Sequence, residues 1–132
     1  TRTKVWGATI ELIKENPFIG VGAGDLRDEL SKKYEEKGYQ NLKEHNYDSH
    51  QQFLQTYAEL GIAGIATLLS LFLVLFIKSV KDKNELLFLF TLLLFFFGIV
   101  ESMLERQAGI VVFVFFATLL FQDNPFSKST KN

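Results

Sequence analysis

The chain has 132 residues, room for one small domain or for a piece of a membrane protein, and its net charge of -1 lacks the basic excess of a nucleic-acid binder. It has no cysteine, which excludes disulfides and thiolate metal sites, and it shows no signal-peptide pattern. Its 14 phenylalanines lie almost entirely after residue 60 while the charges crowd before it, so the mean hydropathy describes neither half.

Residues 3–15 read as an amphipathic helix. Trp6, Ile10 and Ile13 recur at helical spacing, and Lys4, Glu11, Lys14 and Glu15 take the other side. Asn16 ends it, because the residue before a proline, here Pro17, disfavours helical backbone. Arg2 falls one turn before Trp6 on the apolar side, where an arginine snorkels beside an interfacial ring. Gly20, Gly22 and Gly24 then alternate with small residues. No strand precedes them, the pattern is not GxGxxG, and no Gly-Lys-Ser/Thr follows, so nucleotide-loop readings fail. What remains is a tight turn, either purely structural or one that brings backbone close to a lipid or sugar.

From Asp25 to Asp48 the chain is charged and weakly helical, with DLRDELSKKYEEKG closing at Gly38 as a C-cap. Tyr34, Tyr39 and Tyr47 either stack on sugar rings or pack a solvated helix lying over the membrane. His45 and His50 stand five apart, a spacing that does not suit helical metal-ligand pairs, so no metal site is expected. His50 either caps the helix that follows or exchanges a proton near neutral pH.

Three apolar segments follow: 61–77, 86–100 and 108–121. Phenylalanine and leucine go all the way round them, unlike the helices of a soluble bundle, which keep a polar face. The expectation is an all-α integral membrane fold, with about three C-terminal transmembrane helices after a mostly helical loop region. The boundary falls between 1–56 and 57–132, and the third segment either spans or re-enters. The connector with Lys78, Lys81, Asp82 and Lys83 carries a net +2, and the tail carries Lys128 and Lys131. Lysine-rich short loops favour the cytoplasm, which sends residues 1–56 and the turn from Glu101 to Gly109 to the opposite, periplasmic face. Glu101 and Glu105 are four apart and so expected on one helix face, with Arg106 beside them. They are either an ordinary polar cap or part of a site that Arg2 and His50 also reach.

Counting from His50, the residues Phe53, Leu54, Gln55, Glu59, Gly61 and Gly64 fall where the O-antigen ligase and polymerase family carries HNxYLQxxxExGxxG. Counting from His45, no glutamate or glycine falls in register. Upstream, Arg2, Trp6, Pro17, Gly20, Gly22 and Gly24 match in order the family's arginine, tryptophan and xxPxxGxGxG turn. The chain therefore resembles the C-terminal part of that family over residues 2–77, with Gln51 where the family usually has asparagine.

The resemblance implies a membrane glycosyltransferase that moves a glycan from undecaprenyl pyrophosphate to a lipid or glycan acceptor, without nucleotide sugar, cofactor or metal. It implies a multi-pass protein of a bacterial inner membrane whose further spans lie upstream, so that this piece is inactive alone. Arg2 would hold the pyrophosphate, as a planar guanidinium fork suits, and His50 would be the catalytic acid–base group. Gln51 is a further expected substrate contact, and the residues themselves, rather than the resemblance, add Glu101, Glu105 and Arg106. The alternative is a non-catalytic membrane module that binds a partner protein or lipid headgroups.

Overall fold

The computed structural model describes residues 1–45, 47 and 49–122, and the described residues form helices and turns only. Asn46, Asp48 and the tail with Lys128 and Lys131 lie outside the described residues. Helix α1 (Arg2–Glu15) ends at Asn16 before Pro17, as the sequence predicts. The face it buries differs from the predicted one: Val5, Ala8, Thr9, Leu12 and Ile13 are inside, whereas Ile10 is exposed. The cause is the partner surface. Helix α2 (Leu26–Glu36) folds back and packs Leu26, Leu30 and Tyr34 against that stripe, joined by Leu42 of the short α3 (Gln40–Glu44) and by Ala58 of α4 (Gln52–Lys81).

Two cross-helix ion pairs line the rim of this small core, Lys33 to Glu15 and Lys37 to Glu11, each at 2.7 Å. The α2 terminus is closed as predicted at Gly38, which takes φ 68°. Its amide donates to Glu35 O and that of Tyr39 to Tyr34 O, the paired bonds that satisfy a helix's last carbonyls.

Helix α4 is 30 residues long and the only described helix both long and apolar enough to cross a membrane. Helices α5 (Glu85–Val100) and α6 (Gln107–Gln122) have 16 residues each. That is about 24 Å of rise against a hydrocarbon core of about 30 Å. So the three apolar segments are all helical, but only the first has clear spanning length. The three run antiparallel in sequence. Asn84 ties them at one end: its side chain accepts from Leu87 N as the α5 cap and donates to Leu120 O of α6 at 2.9 Å. Phe72 sits at the centre of the bundle, 5.6 Å from the Phe95 ring edge-on and 6.4 Å from Phe113, with Leu68, Leu75, Leu87 and Leu94 around it.

Helix α4 is broken once, at Gly61, where φ is 62° and ψ is −155°. This is a backbone region essentially reserved for glycine. The segment Pro17–Gly22 is lodged in the break and replaces the helical bonds lost there. Val21 N donates to Ala58 O at 2.8 Å and Gly22 N to Glu59 O at 3.0 Å, while Ile62 N donates to Pro17 O at 3.1 Å. The approach is so close that a Cβ on Gly61 would lie 2.3 Å from Phe18 O, and one on Gly20 would lie 2.4 Å from Glu59 O. The bend also swings Leu60 over Gly64, where a Cβ would meet it at 2.3 Å. The glycine-rich turn thus has a structural role: it is the complement of the α4 break.

Candidate functional site

The break and the turn seat α1 against α4, and this seating brings Arg2 to the C-terminal end of α5. Its Nη2 donates to Val100 O at 3.5 Å, a favourable place for a cation because the last carbonyls of a helix carry partial negative charge. The guanidinium is exposed and has five donors in all, so most of its fork remains available to an anion.

His50 arrives from the other direction. Its Nδ1 lies 3.7 Å from Glu101 Oε2, one residue beyond Val100, and both side chains are over a third exposed. The backbone before α4 is held on two sides. Trp6 Nε1 donates to Ser49 O at 3.0 Å, and the Gln51 side-chain oxygen caps α4 by accepting from Leu54 N. His50 itself adopts φ 45°, uncommon for a residue other than glycine and a local cost that the surrounding contacts maintain. Gln52 completes the frame by accepting from Leu104 N at 2.7 Å, which fixes the turn after α5 to the start of α4.

Of the expected residues, then, Arg2, His50 and Glu101 converge. Gln51 is adjacent to them, but its side-chain carbonyl oxygen is engaged in the helix cap. The other two separate, against expectation. Glu101 and Glu105 do not share a helix face, because α5 stops at Val100 and Glu101 is extended, with a short 3-10 turn from Met103 to Glu105 after it. The peptide plane turns there, so Glu105 interacts with Glu59 of α4 instead. Arg106 is exposed and starts α6, its carbonyl accepting from Ile110 N.

His45 meets this group only through Tyr47, 5.9 Å from it ring to ring, and its Nδ1 meets Asn41 O at 2.9 Å, one turn back on α3. Among the tyrosines, Tyr34 is 1% exposed with its hydroxyl donated to Tyr47 O, so it packs and has no face for a sugar. Tyr39 carries the Lys4 ammonium over its ring at 4.6 Å. Tyr47 stays at the surface, its ring edge-on to His50 at 6.3 Å.

Several contributors escaped the sequence reading. Gln55 and Glu59 served there only to set register, yet they form a chain in which Ser49 Oγ donates to Gln55 Oε1 at 2.6 Å and Gln55 Nε2 to Glu59 Oε1 at 2.8 Å. Their i, i+4 spacing was the available signal. Ser102 had none: it is 7% exposed, and among the described residues its hydroxyl, beside Glu101, has no hydrogen-bond partner.

This arrangement offers a permanent cation, an imidazole and a carboxylate at one half-exposed junction of helix ends. No curated protein and no solved structure matches the chain. A protein-family match does: the family described as O-Antigen ligase (Wzy_C) covers residues 1–69, from before Arg2 through His50 and the α4 break. The chain belongs to the O-antigen ligase family.

Proposed function

We propose that this chain is the C-terminal part of a membrane glycosyltransferase that moves a glycan from undecaprenyl pyrophosphate to a lipid or glycan acceptor at the periplasmic face. Arg2 binds the pyrophosphate and His50 is the acid–base group. The observation that carries the reading is the convergence of Arg2 and His50, from separate helices, on the adjacent residues Val100 and Glu101.

In this mechanism the acceptor hydroxyl oxygen bonds to the anomeric carbon as the carbon–oxygen bond to the pyrophosphate breaks. The electron pair leaves with the phosphate, whose growing charge the guanidinium offsets; fixed charge at a developing anion is commonly the largest catalytic term. The hydroxyl proton passes to His50. Glu101, facing Nδ1 at 3.7 Å, stabilises the imidazolium that results.

The test is made in the full-length protein, read as surface polysaccharide on a gel with protein level measured alongside. His50→Ala should cut transfer by roughly 10²–10⁴-fold, the usual worth of a positioned proton acceptor. Arg2→Lys should fall well below wild type, because it keeps the charge and loses the fork. Normal ladders from both variants at normal protein levels would overturn the assignment and favour a non-catalytic module.

A further inference from the structure

The two most exposed large apolar side chains of the polar half are neighbours. Phe18 is 74% exposed and Ile19 is 83% exposed. They sit on the segment lodged in the α4 break, whose backbone is pinned on both sides by Ile62 N to Pro17 O, Gly20 N to Asn16 O and Val21 N to Ala58 O. With the carbonyl of Phe18 pressed against Gly61, the turn has no freedom to fold these side chains back onto the core.

Their height along α4 says what covers them. The charge-free run from residue 61 to Ile77 is 17 residues, or about 26 Å of rise, within a few ångströms of the thickness of the hydrocarbon layer. At its far end Lys78, Lys81, Asp82 and Lys83 mark the return to water. Gly61 therefore stands at the opposite hydrocarbon boundary, and Phe18 and Ile19, which touch it, stand there too. The apolar surface is continuous across this level, since Leu60 and Ile62 on either side of the break are also exposed, and so are the spanning residues Leu69 and Leu73 below. No charge interrupts residues 16–24.

We propose that Phe18 and Ile19 form a wedge that inserts among the lipid acyl chains at the edge of the bilayer, seating the polar half on the membrane at a fixed height. Because the wedge is locked to the break, it and α4 set that height together. His50 and Arg2 sit beside Glu101 and Val100 at the outer end of α5, whose 16 residues rise about 24 Å, so they lie near the same boundary as the wedge. The inference depends on the membrane setting of α4 and not on the chemistry proposed for Arg2 and His50.

Full-length protein, freed of any cysteines elsewhere, would carry Ile19→Cys or, as a control, Asp28→Cys at an exposed position of α2. Each is spin-labelled and reconstituted in phosphatidylethanolamine–phosphatidylglycerol vesicles. Relaxation of the label is then measured with oxygen, which concentrates in acyl chains, and with a nickel chelate, which stays in water. The label at 19 should show oxygen contact several-fold above chelate contact, at a depth just inside the acyl boundary, with the order reversed at 28. Chelate contact at 19 equal to that at 28 would overturn the wedge and leave a turn in water. Low contact with both reagents would overturn it equally, showing that other protein covers the turn.

Discussion

Replacing Gly61 by alanine puts two solutions for α4 in competition. If the backbone holds its present shape, alanine adopts a glycine-only conformation and drives its Cβ to 2.3 Å from Phe18 O. The strained conformation costs about 1–3 kcal/mol and the overpacking about 1–3 kcal/mol more, together about 2–6 kcal/mol. The chain can avoid this by letting residue 61 relax to an ordinary conformation and releasing the turn, while the bend that packs Phe53 on Phe72 and Phe95 remains. Release forfeits three backbone bonds, those of Val21, Gly22 and Ile62, at about 1 kcal/mol each. Alanine at the relaxed position regains up to about 1 kcal/mol, because it leaves the unfolded chain less freedom than glycine does.

Net release therefore costs about 2 kcal/mol, no more than the lowest figure for holding the bend. The magnitudes choose release, so Gly61→Ala should give a folded protein with an ordinary backbone at residue 61 and a detached turn. Hydrogen exchange of the full-length protein reads this directly: a peptide over residues 17–24 should lose protection while the peptide over residues 68–76, deep in the bundle, keeps it. Arg2 would then lose its fixed place near Val100, and polysaccharide output should fall although His50 is untouched. A Gly61→Ala protein whose turn peptide is as protected as wild type would refute the claim that the break and the turn hold one another.

Three further outcomes follow from the same geometry. Gly7→Ala is the contrasting glycine change: it lies inside α1 with nothing near its Cβ, so thermal unfolding should show a gain of about 0.5–1 kcal/mol with no loss of transfer. Trp6→Phe keeps an aromatic ring, though a smaller one, and loses the bond to Ser49 O, so stability should fall by at least about 1 kcal/mol, and transfer should fall by more than that stability loss explains, because the residue before His50 is no longer held. The docking of α1 on α2 should be insensitive to pH between about 5 and 9. The Lys37 ammonium holds the Glu11 carboxyl below its usual range, a stabilisation present above about pH 4.3 and lost as pH falls through the lowered value; the same bond raises Lys37, a stabilisation present below about pH 10.4 and lost as pH rises through the raised value. A midpoint of thermal unfolding that moved steeply across pH 5–9 would show that other groups govern this contact.

The elements whose signals are local were legible from the chain alone. Pro17 ends α1 and Gly38 closes α2 through their own backbone chemistry, and the apolar runs mark α4, α5 and α6 by composition. What depended on a partner surface was read less well. Trp6, Ile10 and Ile13 have helical spacing, yet the buried stripe of α1 is the one that α2 and Ala58 cover. Glu101 and Glu105 have helical spacing too, yet α5 ends at Val100, so the two carboxylates part, one toward His50 and the other toward Glu59. Spacing states which residues would share a face if the helix continued; it does not state where the helix stops. The convergence of Arg2, His50 and Glu101 was anticipated only as an outcome of placing helix ends on a common side.

That placement explains why the sequence pattern is so rich in glycine at positions remote from the chemistry. Arg2 lies at the start of α1, His50 just before α4, and Glu101 just after α5, so each candidate group sits at a helix end rather than on a helix face. A side chain at a helix end is only as fixed as the packing of that helix against its neighbours. Here the packing of α1 on α4 is set by the Pro17–Gly22 segment entering the Gly61 break, and the packing of α5 on α4 by Gln52 reaching Leu104. Without the break, α4 would present ordinary helical carbonyls at Ala58 and Glu59, already bonded, and the turn would have nothing to dock on. The glycines at 20 and 61 are thus positioning elements for a site that contains neither of them, and Arg2 can reach the end of α5 because these backbone bonds help to dock α1 on α4.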